Sequence, residues 1–181
     1  MPLKSKTSDQ IHELFELLEI QGRQQNYGEL LSITKHSLEA AFLAEQESLE
    51  RPLVVACLFH DIGWLLATGA SLEIDHDTLG ANWLAKFFPK SIYQPVALHV
   101  QAKRYLVAKR SGYFESLTKA SQASLNYQGG PMTPAQARLF EDEEFFTEAI
   151  SLRLIDDKAK DPEMRVPELA SWLPLVEAYR L

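Results

Sequence analysis

The chain has 181 residues, 46% of them apolar, the length of one compact domain with enough nonpolar side chains to build a core. A net charge of −7, from 18 basic and 25 acidic side chains, leaves no broad basic surface and excludes nucleic acid and anionic lipid as expected partners. The polar start MPLKSKTSDQ, with no apolar run near the roughly 20 residues a bilayer requires, predicts neither a secretion signal nor a membrane anchor.

Single Pro or Gly residues punctuate apolar segments of helical spacing, with no repeat and no linker, so one domain over 1–181 is expected. From about Ser8 to Ile20, the residues Ile11, Leu14, Phe15, Leu17 and Leu18 form one stripe behind a Ser8 or Asp9 cap. A second helix is predicted over Ser32–Glu47. A third starts at Pro52 and runs through PLVVACLFHDIGWLL, apolar nearly all round and therefore central to the bundle. Within it Cys57, the one cysteine, reads as a small core residue in a reducing, cytoplasmic setting. Further helices are predicted from His76 to Phe88, stopping before Pro89, and from about Ile92 to Val107. NYQGGPMTP reads as a loop, TPAQARLFEDEEFFTEAISLRLIDDKAK as two helices with EDEEFF as a solvated helix start, and Val166–Leu181 as a last helix. Strand-like alternation is nearly absent, so the fold class is all-α.

Of five histidines, His12 falls on the polar side of the first helix and reads as surface. His60 is different, because Asp61 follows it inside the most apolar segment. A lone buried imidazole is ordinarily a hydrogen-bonded core residue. A buried ionisable pair is costly without compensation, and two neighbours about 100° apart on a helix that both face inward imply something between them. His36, His76 and His99 lie at interior-facing edges of their segments, and Asp156 follows Leu154 and Ile155 in another. Helical bundles build two-metal sites from imidazoles and carboxylates on several helices, and a carboxylate such as Asp61 has two oxygens with which to bridge. The mixed N/O set without thiolate suits Fe, Mn or Zn.

The order His36, His60-Asp61, Asp156 resembles the HD superfamily of metal-dependent phosphohydrolases, with His76 and His99 as in its two-metal members. The strings YGELLSITKH, HDIGW, HDTLGANWL, PVALHVQAKRYL, LTKASQASLNYQGGPMTP and SLRLIDDKAK, between about Asn26 and Lys160, resemble one branch more closely: mixed-valent di-iron oxygenases that cleave the C–P bond of hydroxyphosphonates. That resemblance implies an HD-domain helical bundle and two Fe ions, Fe(II)/Fe(III), held by His36, His60, Asp61, His76, His99 and Asp156. It also implies O2 as co-substrate and a small-molecule phosphonate substrate in a monomer or small homo-oligomer. Residues matching Lys103, Ser121, Gln128 and Arg153 line the substrate pocket in the family. Lys103 lies four residues past His99 and Arg153 three before Asp156, so each cation shares a helix face with an expected ligand. A hydrolase, in which the same metals activate water against a phosphate ester, is the alternative.

Two positions depart from the family pattern. Asn26 stands where a tyrosine is usual, two residues before the glycine of Gly28-Glu29, so the tyrosine's catalytic role passes to Tyr27. Glu29, which in the family can face a substrate amine, is retained. Trp64 replaces the histidine that usually closes HDIGH, which removes a hydrogen-bonding group and adds an aromatic wall suited to a bulky or quaternary ammonium.

Overall fold

The computed structural model describes residues 6–26, 30–67 and 75–181. Every regular element among them is helical. α1 (Lys6–Glu16) turns Ile11 and Leu14 inward and continues as a π-helical turn, Leu17–Gly22. α2 (Ile33–Gln46) begins at Ser32, whose hydroxyl accepts the Lys35 amide at 3.2 Å. α3 (Arg51–Phe59) buries everything from Leu53 to Phe59, as its composition predicts, and Cys57 is a core residue.

The unbroken helix expected through PLVVACLFHDIGWLL does not form. Its backbone leaves the helix at His60-Asp61, with Asp61 at φ −101° and ψ 8°, and resumes as α4 (Ile62–Leu66). The turn has a purpose: neighbours on a continuous helix would diverge by about 100°, whereas here both side chains reach one interior point. α4 then crosses α5 (His76–Leu84) with no side chain between their backbones. A Cβ on Gly63 would lie 1.9 Å from the His76 carbonyl oxygen, so only glycine permits the approach.

α5 ends at Leu84 rather than Phe88, because the chain must straighten before Pro89; turn bonds such as Phe88 N–H to Leu84 O, 2.9 Å, close it. α6 (Lys90–Lys109) is the long spine of the molecule, followed by the short α7 (Tyr113–Ser116). α8 (Lys119–Tyr127) was not expected; it absorbs Asn126 and Tyr127, so the loop starts at Gln128, and Gly129 and Gly130 turn it with φ of +93° and +67°. α9 (Pro134–Glu141) opens on a Thr133/Gln136 capping box. The acidic run is mainly the connection to α10 (Phe146–Lys158), not a helix start, since only Glu141 and Phe146 at its edges are helical. In the tail a 3-10 turn (Leu169–Trp172) and α11 (Leu173–Glu177) replace one long helix.

α10 packs along α6 and against α2 and α3, and α5 lies on the other side of α6. Phe59, Phe88, Ile62, Leu84, Ile92, Leu152 and Ile155 fill the core they enclose. Among the described residues no helix is long and apolar enough to cross a membrane.

Candidate metal centre

His36 comes from α2, His60 and Asp61 from the α3–α4 turn, His76 from the first position of α5, His99 from α6 and Asp156 from α10. The fold brings all six together as two triads that could each hold a metal ion: His36, His60 and Asp156, and Asp61, His76 and His99. Nε2 atoms of His36 and His60 are 3.1 Å apart, as are those of His76 and His99. Asp61 stands between the triads. Its Oδ2 is 3.5 Å from His60 Nε2 and 3.8 Å from His36 Nε2, and its Oδ1 is 3.3 Å from His76 Nε2. Asp156 Oδ1 completes the first group, 3.1 Å from His36 Nε2.

The hydrogen bonds test whether a cation fits. Nδ1 of His36 donates to Ala159 O at 2.7 Å and Nδ1 of His60 to Cys57 O at 2.8 Å, which assigns both protons to Nδ1 in the neutral rings. Two bare Nε2 lone pairs would repel, so without a cation the approach needs a proton on one of them, as on His36 beside Asp156, and a metal ion can take that proton's place. Two nitrogens each about 2.1 Å from one ion would sit roughly 3 Å apart, the spacing observed. A metal ion therefore fits this donor set.

Electrostatics follow from burial. Desolvation disfavours charge on His60 and His99, and His99 is pushed down to about 3 with the neighbouring His76 and His60 adding to the effect. Desolvation opposes charge on His36 as well, but the Asp156 hydrogen bond and the charges of Asp156 and Asp61 outweigh it and hold the group at about 9. Asp156 stays ionised well below the usual carboxylate range despite its burial, chiefly because of Arg153.

A cavity of about 510 Å³ opens onto both triads. Lys103, only 3% exposed, donates to Ser124 Oγ at 2.8 Å, and Lys160 donates to Ser121 Oγ at 3.3 Å. Burial, with Arg153 next, pushes Lys103 down to about 7. Gln128 also lines the cavity, and its buried Oε1 has no partner among the described residues. Arg153 reaches the wall, but its nitrogens are already engaged: Nη1 donates to Asp156 Oδ2 at 2.6 Å, Nε to Tyr113 Oη at 3.2 Å, and Nη2 to Asp157. Trp64, Leu31 and Ile33 also line the cavity.

Tyr27 and Glu29 lie outside the described residues. His12 is exposed, as expected. Sequence reasoning missed Lys160 and Ser124; the lysine lies two residues past the end of α10, beyond the reach of helical spacing.

Residues 33–157 match the model of the HD domain family. The chain is 37% identical to the hydroxymethylphosphonate dioxygenase of Gimesia maris, over 98% of this chain and 92% of that protein. It is 34% identical to the glycine-betaine-forming [1-hydroxy-2-(trimethylamino)ethyl]phosphonate dioxygenase of Leisingera caerulea, over 86% and 83% of the two chains. With that match and relatives above 30% identity along most of both chains, the protein belongs to the HD-domain family, in the branch that holds the hydroxyphosphonate dioxygenases.

Proposed function

We propose that this protein is an O2-dependent di-iron oxygenase that cleaves the C–P bond of a 1-hydroxyphosphonate. The substrate is 2-amino-1-hydroxyethylphosphonate or an N-substituted analogue, and the products are phosphate and a carboxylic acid such as glycine. The observation that carries this reading is Asp61, which turns one oxygen to each histidine pair on the floor of a cavity walled by Lys103 and Lys160. The kinship with two phosphonate dioxygenases supports it.

In this reading His36, His60 and Asp156 would hold one iron and His76 and His99 the other, with Asp61 as the carboxylate shared between the two triads. When bound, the mixed-valent iron pair supplies the oxygen-activating and electron-transfer chemistry. The balance is one O2 per hydroxyphosphonate dianion, giving carboxylate, hydrogenphosphate and one proton. The chain's own residues bind and orient. Lys103 and Lys160 neutralise the phosphonate with charge-assisted hydrogen bonds, and the Ser121 and Ser124 hydroxyls, already held by those lysines, face the same anion. Gln128 offers its amide oxygen, an acceptor, to a donor at the substrate's polar end. Arg153 keeps Asp156 ionised and fixed, and adds positive charge to the wall. By the family resemblance Tyr27 takes the role of the family's catalytic tyrosine and Glu29 pairs with the substrate amine. Trp64 suits an N-substituted ammonium through cation–π attraction, and the Leisingera relative, by its name, acts on a trimethylamino compound. This reading places a single HD domain over 1–181 in the cytoplasm, as a monomer or small homo-oligomer.

The test is aerobic incubation with Fe(II) and ascorbate, following O2 uptake and phosphate release from aminoethyl, trimethylaminoethyl and unsubstituted 1-hydroxyphosphonates and from phosphate monoesters. Coupled uptake and release from a hydroxyphosphonate is expected. Phosphate from esters without O2 uptake would show a hydrolase instead.

A further inference from the structure

Three of the four imidazoles at the centre share one kind of brace. Nδ1 of His36, His60 and His99 donates to the main-chain carbonyl of Ala159, Cys57 and Val96, at 2.7, 2.8 and 2.7 Å. Such a bond fixes the rotation of the ring and selects the tautomer whose Nε2 lone pair faces the centre. Among the described residues His76 has no such bond: its buried Nδ1 finds no partner there. Its ring lies flat against the Trp64 indole instead, with centroids 4.3 Å apart and planes 14° apart. That stack is built by the backbone, since Trp64 sits one residue after Gly63, the position at which α4 touches the His76 carbonyl.

We propose that Trp64 is the positioning residue for His76. The indole face holds the imidazole plane so that Nε2 points at Asp61 Oδ1, 3.3 Å away, as the carbonyls do for the other three rings. Stacking fixes a plane but selects no tautomer. His76 can keep its proton on Nε2, against His99 Nε2 at 3.1 Å, and must move it to the unpartnered Nδ1 before that nitrogen can bind a cation. The Asp61–His76–His99 site is therefore the weaker of the two, and its strength depends on a side chain. The inference rests on the two-metal reading above, and it assigns Trp64 a role separate from any contact with substrate.

The experiment titrates the metal-stripped full-length protein with Co(II), reading stoichiometry and affinity by calorimetry and the ligand-field spectrum of each site. Wild type, Trp64→Phe and Trp64→Leu are compared at matched helicity. Wild type and Trp64→Phe should each bind two ions, while Trp64→Leu should bind the weaker ion about 10–100-fold less tightly with the tighter site unmoved. Trp64→Met replaces the leucine variant if that one loses its helical signal. Equal binding by wild type and the aliphatic variants, or equal weakening of both sites, would overturn the role given to Trp64. Fewer than two ions in wild type would overturn the two-metal reading itself. Two ions with no turnover of any phosphonate would sink the proposed reaction, while selective weakening in Trp64→Leu would still establish the role of Trp64.

Discussion

The two halves of the centre are built differently although they share Asp61. On the His36–His60–Asp156 side both imidazoles are pinned to main-chain carbonyls, and the carboxylate is pinned by a guanidinium that is itself held by Asp157 and Tyr113. On the Asp61–His76–His99 side one ring is pinned and the other is stacked, and no described cation bonds the carboxylate. The contrast teaches that rigidity is spent where α2, the end of α3 and α10 meet, while the half that joins α5 to α6 depends for His76 on one backbone contact between α4 and α5.

Substitutions can break this comparison one side at a time. Asp61→Ala removes the shared carboxylate, so metal content should fall on both sides and activity should vanish, a loss beyond the ~10–100-fold typical of an outer partner. Elemental analysis beside a retained helical circular dichroism signal checks it. Arg153→Ala leaves Asp156 and Asp157 without their cation, and breaking a buried ion pair costs about 3–5 kcal/mol. Denaturant unfolding should show that loss, with metal leaving the His36 side first. Gly63→Ala pushes a methyl into the His76 carbonyl, an overpacking of about 1–3 kcal/mol, and should deplete the opposite side first in the same assay.

Two smaller effects sharpen the contrast by touching neither metal half. Lys160→Ala should raise KM for the hydroxyphosphonate about 10-fold, the size of one hydrogen bond to a charged group, with iron content unchanged. Lys103 gives a pH signature. Because its pKa is lowered to about 7, it is charged and holds an anion below that pH, and above it the free protein loses the charge. Phosphonate affinity of wild type relative to Lys103→Arg should therefore fall as pH rises past 7, by up to ~10-fold per unit, since arginine stays charged and the substrate's own titration cancels in the ratio. A flat ratio would show that Lys103 does not hold the phosphonate.

Much of the centre could be read from the chain. His60-Asp61 stands out because an ionisable pair has no ordinary place in an apolar run, and the other four candidate residues, His36, His76, His99 and Asp156, follow from helical spacing and family resemblance. What escaped was fixed by tertiary contact. The break at Asp61 leaves no sequence mark, since its neighbours Phe59 and Ile62 read as continuous helix and the torsion is set by packing against α5. α8 lacks an apolar stripe; only Ser121 and Leu125 of it are buried, so the stretch before NYQGGPMTP carried no helix signal. The Trp64–His76 stack joins two helices twelve residues apart, and the substitution at 64 was visible without its partner. Lys160 lies past the end of α10, where helical periodicity no longer locates a side chain.

The carbonyl braces have a consequence for long-range attraction. Imidazoles at metal centres are often oriented by carboxylates, each of which adds a negative charge. Here three rings use neutral peptide oxygens, so the centre carries only the charges of Asp61 and Asp156, with Arg153, Lys103 and Lys160 set beside them. Once the proposed iron pair is added, the chamber becomes a positive well inside a chain whose net charge is −7. A dianion that enters leaves a repelling exterior, screened within about 8 Å at physiological salt, for an attracting interior, and this field favours phosphonates over neutral alcohols of the same shape.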